Sequence, residues 1–329
     1  MIISHFFRPP SHGNPMIPSQ HPRYLRVLSP LLVLASALFA LAACSNEEPA
    51  ADGTLLVSVR PLALIGAEIA GEDMQIRELI RNGDPHHYAP SVSDRAALEQ
   101  AALVVWLGPK METVLARQLA QVPAERQLGL LQQGDFEMAG ATADDPHLWL
   151  RPRNAAIIGA QMAERLAELR PQQADTYRQR ARDFSREMAN LQKVLDRALW
   201  AYRDVPIVVT HDAYGHFFGG AGVATTALSG TGGHNHHGAR TLLDLGDLGD
   251  GCLFGEAPAN DRDRRLAENL GLGYVALDPL GRALPEGARY RELIEALLAD
   301  ARQCLAQVPD RPITPPDNGK EAPAGAAEE

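Results

Sequence analysis

Three histidines and one aspartate stand where predicted strands or turns end, and all four side chains can bind a metal ion. They are His86, His147, His211 and Asp278. In α/β folds, ligand-binding groups gather at the carboxyl ends of strands, so two facing lobes could bring these four together. Three neutral imidazoles and one carboxylate form a tetrahedral set that suits zinc. Taken singly, each histidine could instead be a hydrogen-bonding or surface residue.

Zinc held by three histidines with an open position could also activate water, as it does in zinc hydrolases. The sequence has no His-Glu-x-x-His segment, and no serine, cysteine or carboxylate stands out as a nucleophile or base. We therefore expect a binding protein rather than an enzyme. An assay of the zinc-loaded protein for hydrolase or hydratase activity would distinguish the two classes.

A second group of histidines, His234, His236 and His237, lies between glycines in the segment Gly230–Gly238. The glycines predict a loop, and alternating plus adjacent imidazoles can chelate a divalent ion. The segment is predicted to be either a weak auxiliary zinc site or a solvated turn with chance histidines.

The elements that must position the four metal-binding candidates alternate between strands and helices, which predicts α/β lobes with mainly parallel sheets. The pattern predicts strands at Thr54–Val59, Leu103–Leu107, Val205–Thr210, Cys252–Phe254 and Tyr274–Leu277, and helices at Pro61–Ala70, Ser91–Gln100 and Tyr290–Ala306. A turn signal at Gly83-Asp84-Pro85 carries His86, and Ser91 with Asp94 resembles a capping box. Met74–Ile80 fits either a strand or a helix.

Residues 171–203 contain the longest helical pattern. After Pro171, apolar side chains recur in steps of three and four as far as Tyr202, with no glycine or proline between them. A helix of about 30 residues would be roughly 45 Å long, enough to lie across two lobes. A coiled-coil helix is the rival interpretation, but α/β signals resume directly afterwards and favour the spanning helix.

With 329 residues, the chain exceeds what one hydrophobic core usually serves. We therefore predict an N-terminal α/β lobe at residues 54–170, a rigid linking helix at 171–203 and a C-terminal α/β lobe at 204–308. The metal site is expected in the cleft between the lobes.

Both ends of the chain are predicted to lie outside the lobes. Arg23 and Arg26 precede a short apolar stretch that ends in Leu41-Ala-Ala-Cys44, which predicts a signal peptide over residues 1–43. The segment Leu41-Ala-Ala-Cys44 resembles a lipoprotein cleavage motif, so lipidation of Cys44 is expected. An ordinary signal peptide with an incidental cysteine is the alternative. The stretch is too short for a convincing transmembrane helix. Residues 44–53 are interpreted as a tether, and residues 309–329, rich in proline and alanine, as a disordered tail.

Export would place the other two cysteines, Cys252 and Cys304, in an oxidising compartment. A pair of thiols normally becomes a disulfide there. Two separate buried thiols are the alternative.

The charge balance argues against a nucleic-acid partner. Lys and Arg number 31 against 41 Asp and Glu, for a net charge of −10. Such a chain is a poor electrostatic match to a phosphate backbone.

Six short motifs occur in the chain. In type and order they closely resemble the motifs of the zinc-binding solute receptors of bacterial ABC importers (the ZnuA type). They are Asp84-Pro-His-His-Tyr88, Leu103-Val-Val-Trp-Leu-Gly-Pro109, Asp145-Pro-His-Leu-Trp-Leu150, Thr210-His-Asp-Ala-Tyr214, Cys252-Leu-Phe-Gly-Glu256 and Leu277-Asp-Pro-Leu-Gly281. The resemblance covers roughly residues 54–306, nearly all of the chain after the predicted signal peptide.

The resemblance implies a monomeric periplasmic receptor that binds Zn²⁺ between two lobes and delivers it to an ABC importer permease in the inner membrane. It implies His86, His147 and His211 as ligands and Asp278 at the place of an optional fourth, with His87 at a variable position. Manganese-selective relatives usually have a carboxylate where His211 stands, so imidazole there favours zinc over the alternative of a manganese or iron receptor. Adhesins share the family fold, so a surface-interaction role stays open.

The sequence departs from the family pattern in one respect that concerns metal. Zinc receptors of this type often have a long His-rich loop between the first two ligands, whereas the interval from Gln118 to Asp145 contains no histidine. The Gly230–Gly238 segment is a possible replacement.

Overall fold

The structure is a computed structural model of the chain and describes residues 52–228 and 248–309. The predicted signal peptide, Cys44, the histidines of Gly230–Gly238 and nearly all of the predicted tail lie outside the described residues. None of the described helices combines the length and apolar character needed to cross a membrane.

The N-terminal lobe is a four-stranded parallel sheet covered by helices. Its elements in chain order are β1 (Asp52–Val57), α1 (Arg60–Ala70), β2 (Gln75–Glu78), α2 (Val92–Gln100), β3 (Ala101–Trp106), α3 (Thr113–Leu119), β4 (Gln127–Gly129) and α4 (Pro152–Leu169). The strand order is β2-β1-β3-β4, and every pairing is parallel. Every residue of β3 is buried, as expected for a central strand with helices on both faces.

Local signals in this lobe have the predicted outcomes, with shifted boundaries. The capping box is present, because the Ser91 hydroxyl accepts a hydrogen bond from Asp94 N and the Asp94 carboxylate accepts one from Ser91 N. The ambiguous segment Met74–Ile80 contains a strand, β2, aligned by parallel pairing with β1. β1 begins at Asp52, so the last two residues of the predicted tether belong to the sheet.

The long helix α5 spans Ala174–Leu199, with 3-10 turns at Pro171–Gln173 and Trp200–Tyr202 before and after it. At about 1.5 Å per residue it is roughly 39 Å long. Its buried stripe contains Tyr177, Ala181, Phe184, Met188, Leu191, Leu195 and Leu199. This stripe packs against α1 and α4 of the first lobe and against the last helix of the second. The spanning helix is therefore confirmed, and its packing partners in the described chain are not those of a coiled coil.

The C-terminal lobe repeats the arrangement. Its elements are β5 (Ile207–Val209), α6 (Gly215–Gly219), β6 (Thr226–Ala227), β7 (Cys252–Glu256), α7 (Asp261–Asn269), β8 (Gly273–Leu277) and α8 (Tyr290–Leu305). The four strands are parallel in the order β6-β5-β7-β8. Cys252, the first residue of β7, forms a disulfide with Cys304 near the end of α8, which confirms the predicted bridge.

Two buried hydrogen bonds and two ion pairs of a half-exposed arginine join the two lobes. The Trp149 indole donates to Pro279 O at 2.7 Å, and the Tyr290 hydroxyl donates to Trp149 O. Near α5, Arg289 forms ion pairs with Glu68 of α1 and with Glu187 of the long helix. The two-lobed α/β architecture with a linking helix is thus confirmed.

Candidate metal centre

His86 lies in a single 3-10 turn, Pro85–His87, on the loop that follows β2. Proline fixes the backbone at the start of this turn. The Asp84 carboxylate accepts a hydrogen bond from His86 N at 2.9 Å and so caps the turn. The predicted turn therefore carries the predicted histidine, and its conformation is set by the two residues before it.

His147 immediately precedes the 3-10 turn Leu148–Leu150, which leads into α4. Its side chain is almost completely buried, and so is that of Asp145. Asp145 Oδ1 accepts a hydrogen bond from His147 N at 3.0 Å and lies 2.7 Å from His147 Nδ1. The aspartate therefore holds both the backbone and the ring of the histidine.

His211 follows strand β5 directly after Thr210, whose amide donates to Phe254 O in β7. Its ring Nδ1 lies 3.2 Å from Glu256 Oε2. Since Glu256 is the last residue of β7, the parallel pairing of β5 with β7 brings the two side chains together.

The three imidazoles converge on one point. The ring centroids of His147 and His211 are 5.0 Å apart, those of His86 and His211 5.6 Å, and those of His86 and His147 6.0 Å. One potential ligand atom from each ring lies within 4.8 Å of the others. Over residues 52–228 and 248–309, this is the only such group of three or more histidine, cysteine or acidic side chains.

The ring nitrogens divide into two sets. Nδ1 of His147 and of His211 faces a carboxylate, which fixes the ring orientation and places the proton on Nδ1. Within the described chain, the Nε2 atoms of His86 and His211 are buried and have no hydrogen-bond partner. Buried polar atoms are normally paired, so these two nitrogens are available to bind a ligand.

The electrostatics of the rings differ. Burial, followed by the neighbouring His147 ring, lowers the pKa of His86 to about 4, so His86 is neutral at physiological pH. Burial also lowers the pKa of His211, but the hydrogen bond and charge of Glu256 outweigh it and the net pKa is raised. Conversely, the His211 contact outweighs burial and lowers the pKa of Glu256.

Asp278 lies on the wall of the same cavity, which has a volume of about 470 Å³, but outside the three-histidine group. It follows β8, as predicted, and its Oδ2 accepts a hydrogen bond from Ala283 N at 2.8 Å. The structure therefore places this carboxylate near the cluster, with one of its oxygens already engaged.

Sequence reasoning missed three residues that support the cluster. Asp145 and Glu256 belong to two of the sequence motifs, but neither was assigned a role. His216 lies two residues after the end of the motif Thr210–Tyr214. His216 is fully buried, and burial lowers its pKa despite the nearby Asp145 carboxylate. Only the spacing of Asp145, two residues before a candidate ligand, was a usable signal.

Solved structures with this fold establish its class. The periplasmic zinc binding protein TroA from Treponema pallidum aligns with a TM-score of 0.67 at 18% identity, covering 77% of this chain and 99% of that one. A crystal structure of ZnuA aligns with a TM-score of 0.64 at 25% identity, covering 78% of this chain and 98% of that one. The fold is that of a two-lobed periplasmic binding protein with a long linking helix.

The chain belongs to the family of the periplasmic zinc-uptake complex component A (ZnuA), whose profile matches residues 55–304. The high-affinity zinc uptake system protein ZnuA of Yersinia pestis is 31% identical over 216 residues, covering 56% of this chain and 67% of the relative. The protein of the same name from Brucella suis biovar 1 is 25% identical over 329 residues, covering 84% and 98%. The family resemblance predicted from the short motifs is confirmed.

Proposed function

We propose that the protein is an extracytoplasmic receptor that captures Zn²⁺ with His86, His147 and His211 and delivers it to the permease of an ABC importer. The observation that carries the proposal is the convergence of three imidazoles, two of which present a buried Nε2 without a hydrogen-bond partner among the described residues. The names of the Yersinia and Brucella relatives, high-affinity zinc uptake system proteins, support the transport role. Family membership likewise supports a receptor rather than an enzyme.

The donor set supports zinc as the cargo. Imidazole nitrogens suit zinc, whereas manganese prefers oxygen donors. Asp278 offers a carboxylate on the wall of the same cavity. We propose that it completes or supports the coordination of the ion. Replacing Asp278 with Asn tests this role, because a ligand or supporting carboxylate should be needed for full affinity.

Metal content measured by elemental analysis after native purification, followed by competition between zinc and manganese, tests the cargo. Stoichiometric zinc that manganese does not displace is expected. Stoichiometric manganese or iron would favour the alternative receptor of the same family.

Single replacements by alanine test the ligands. His86→Ala, His147→Ala and His211→Ala should each weaken zinc binding by orders of magnitude, because each removes one of the three nitrogens that converge in the described part of the chain. His87→Ala is the matched control, since His87 is adjacent to a proposed ligand but its ring is largely exposed and outside the cluster. Isothermal titration with zinc measures all four variants, and wild-type affinity in His211→Ala would contradict the assignment.

We further propose that the receptor is a monomer attached to a membrane through a lipid on Cys44, after removal of residues 1–43. The lipid attachment is supported by the motif Leu41-Ala-Ala-Cys44, which follows a basic segment and an apolar stretch. Mass spectrometry of the mature N-terminus should find an acylated Cys44, and Cys44→Ser should abolish this acylation. The auxiliary site at His234, His236 and His237 stays a prediction.

A further inference from the structure

The side-chain amide of Asn154 has one possible orientation, because it pairs with the backbone of Glu137 on both sides. Asn154 Oδ1 accepts a hydrogen bond from Glu137 N at 2.8 Å, and Asn154 Nδ2 donates to Glu137 O at 3.0 Å. If the oxygen and nitrogen of the amide were exchanged, the Asn154 nitrogen would face Glu137 N–H, donor against donor. The Asn154 oxygen would face Glu137 O, acceptor against acceptor. Asn154 Nδ2 is therefore the atom that faces Nδ1 of the buried His216 ring, at 3.4 Å.

This contact determines where His216 carries its proton. Asn154 Nδ2 can only donate, so Nδ1 of the His216 ring must accept and the proton of the neutral imidazole is on Nε2. Nε2 lies 3.3 Å from Asp145 O and 3.8 Å from Asp145 Oδ2. His216 therefore donates to the backbone carbonyl of Asp145, and the Asp145 carboxylate lies near the same nitrogen, beyond hydrogen-bond distance.

Asp145 connects His216 to the candidate metal centre, because it contacts both His216 and His147. Its Oδ1 lies 2.7 Å from His147 Nδ1, so the carboxylate accepts a hydrogen bond from Nδ1–H of His147 and leaves the lone pair of Nε2 for the ion. By holding the backbone carbonyl of Asp145, His216 fixes the place from which the Asp145 carboxylate presents Oδ1 to His147. Without that anchor the backbone at Asp145 could shift, and the carboxylate and the ring of His147 would shift with it.

The position of His216 also joins the two lobes. It lies on α6, five residues after the proposed ligand His211, and its partners Asn154 and Asp145 belong to the N-terminal lobe. Next to it, Gly215 and Gly219 approach the backbone of Gly140 so closely that a Cβ on Gly140 would lie 2.4 Å from the Cα of Gly219. The ring is therefore inserted from one lobe into a rigid, close-packed contact with the other.

We infer that His216 is a positioning residue for zinc binding: through Asp145 it sets the tautomer and orientation of His147, and it links this ligand to the segment that carries His211. The inference rests on the proposed zinc-binding function. It predicts that the chain Asn154–His216–Asp145–His147 acts as one unit, although only its last member touches the ion.

The first test compares zinc affinities by competition with a fluorescent chelator. Asp145→Asn should weaken binding about 10- to 100-fold, the usual effect of removing a carboxylate partner of a metal-binding histidine. His216→Phe, which retains the ring but removes both of its nitrogens, should weaken binding about tenfold. Asp144→Asn is the matched control: Asp144 is adjacent but exposed and paired with Lys110, so affinity should be unchanged. A folded His216→Phe protein with wild-type affinity would overturn the inference.

The second test needs neither a folded variant nor bound zinc. Nitrogen-15 NMR of the histidine-labelled wild-type protein in its metal-free form should show His216 protonated on Nε2 and His147 on Nδ1, because the two contacts require these tautomers. The opposite tautomer at His216 would overturn the inference even if His216→Phe does not fold. A wild-type protein that binds no zinc but shows the expected tautomers would instead contradict the proposed function.

Discussion

The three proposed ligands differ in how their rings are held. His147 and His211 each have a carboxylate at Nδ1, whereas the carboxylate next to His86, Asp84, accepts from its backbone amide instead. Carboxylate partners fix ring orientation and raise the basicity of the ligating nitrogen. Two ligands are thus preorganised, while the ring of His86 is held by burial and by a single turn of backbone.

Glu112 is a buried carboxylate near the carboxyl ends of β1 and β3. Its Oε2 accepts hydrogen bonds from Leu107 N and Gly108 N. Burial nevertheless raises its pKa to about 7, since the contribution of burial exceeds those of Ser58 and the two amides. An acid with a raised pKa stabilises the fold in its protonated form, so this contribution is complete below about pH 4.5 and is lost as pH rises to about 7.

Replacing Glu112 with Gln should therefore make stability less dependent on pH. A shift of this size corresponds to about 3 kcal/mol, so the unfolding free energy of Glu112→Gln relative to wild type should increase by about that much between pH 4.5 and pH 8. Urea unfolding at both pH values measures this difference. Glu125→Gln, the same substitution at an exposed position, serves as the control. An equal offset for Glu112→Gln at both pH values would contradict the prediction.

At the scale of elements, the disulfide joins an inner strand of the second sheet to the helix that covers it. Cys252 and Cys304 are both buried, and the bridge closes a loop with a sequence separation of 52 residues. It lies in the second lobe, away from the histidine cluster.

The double variant Cys252→Ala, Cys304→Ala should lose about 4 kcal/mol of unfolding free energy, the entropy of loop closure for a loop of this length. Zinc affinity should be unchanged, because neither residue lines the metal cavity. Urea unfolding with and without reductant checks the cause: reductant should destabilise the wild type and leave the double variant unaffected. If reductant left the unfolding free energy of the wild type unchanged, the bridge would be refuted.

At the scale of the whole molecule, the two lobes meet through close backbone contact near the metal centre. Gly140 has a φ of +78°, and Gly215 and Gly219 lie against it. Because no side chain fits between these segments, the contact fixes the distance between the loop before His147 and the helix after His211.

Gly140→Ala should be much more destabilising than a matched glycine replacement. Gly134 has a similar φ of +74°, but no atom of the described residues lies within 4 Å of a Cβ placed there, so for Gly134→Ala we expect only backbone strain, about 1–2 kcal/mol. Gly140→Ala adds overlap with backbone atoms, about 1–3 kcal/mol more, and should also weaken zinc binding. Thermal unfolding and zinc titration of both variants provide the comparison, and equal losses would show that the contact does not couple the lobes.

Local features of this protein could be predicted from its sequence because they depend on neighbouring residues. The capping box at Ser91, the turn before His86, the apolar stripe of the long helix and the strand exits at His211 and Asp278 all follow from short-range pattern and turn chemistry. Boundaries shifted by a few residues because hydrogen bonding between strands decides where a strand ends. The motifs indicated the family of the chain, and they predict which histidines bind the metal.

Only the tertiary structure decided how these histidines are held. The contacts of His147 with Asp145 and of Asp145 with His216 depend on rotamers, burial and the packing of two lobes, and β5–β7 pairing brings His211 to Glu256. His216 in particular is an isolated histidine in sequence, and its partners lie 62 and 71 residues away. Contacts at such separations are set by packing of the whole chain, which periodicity and turn signals do not encode.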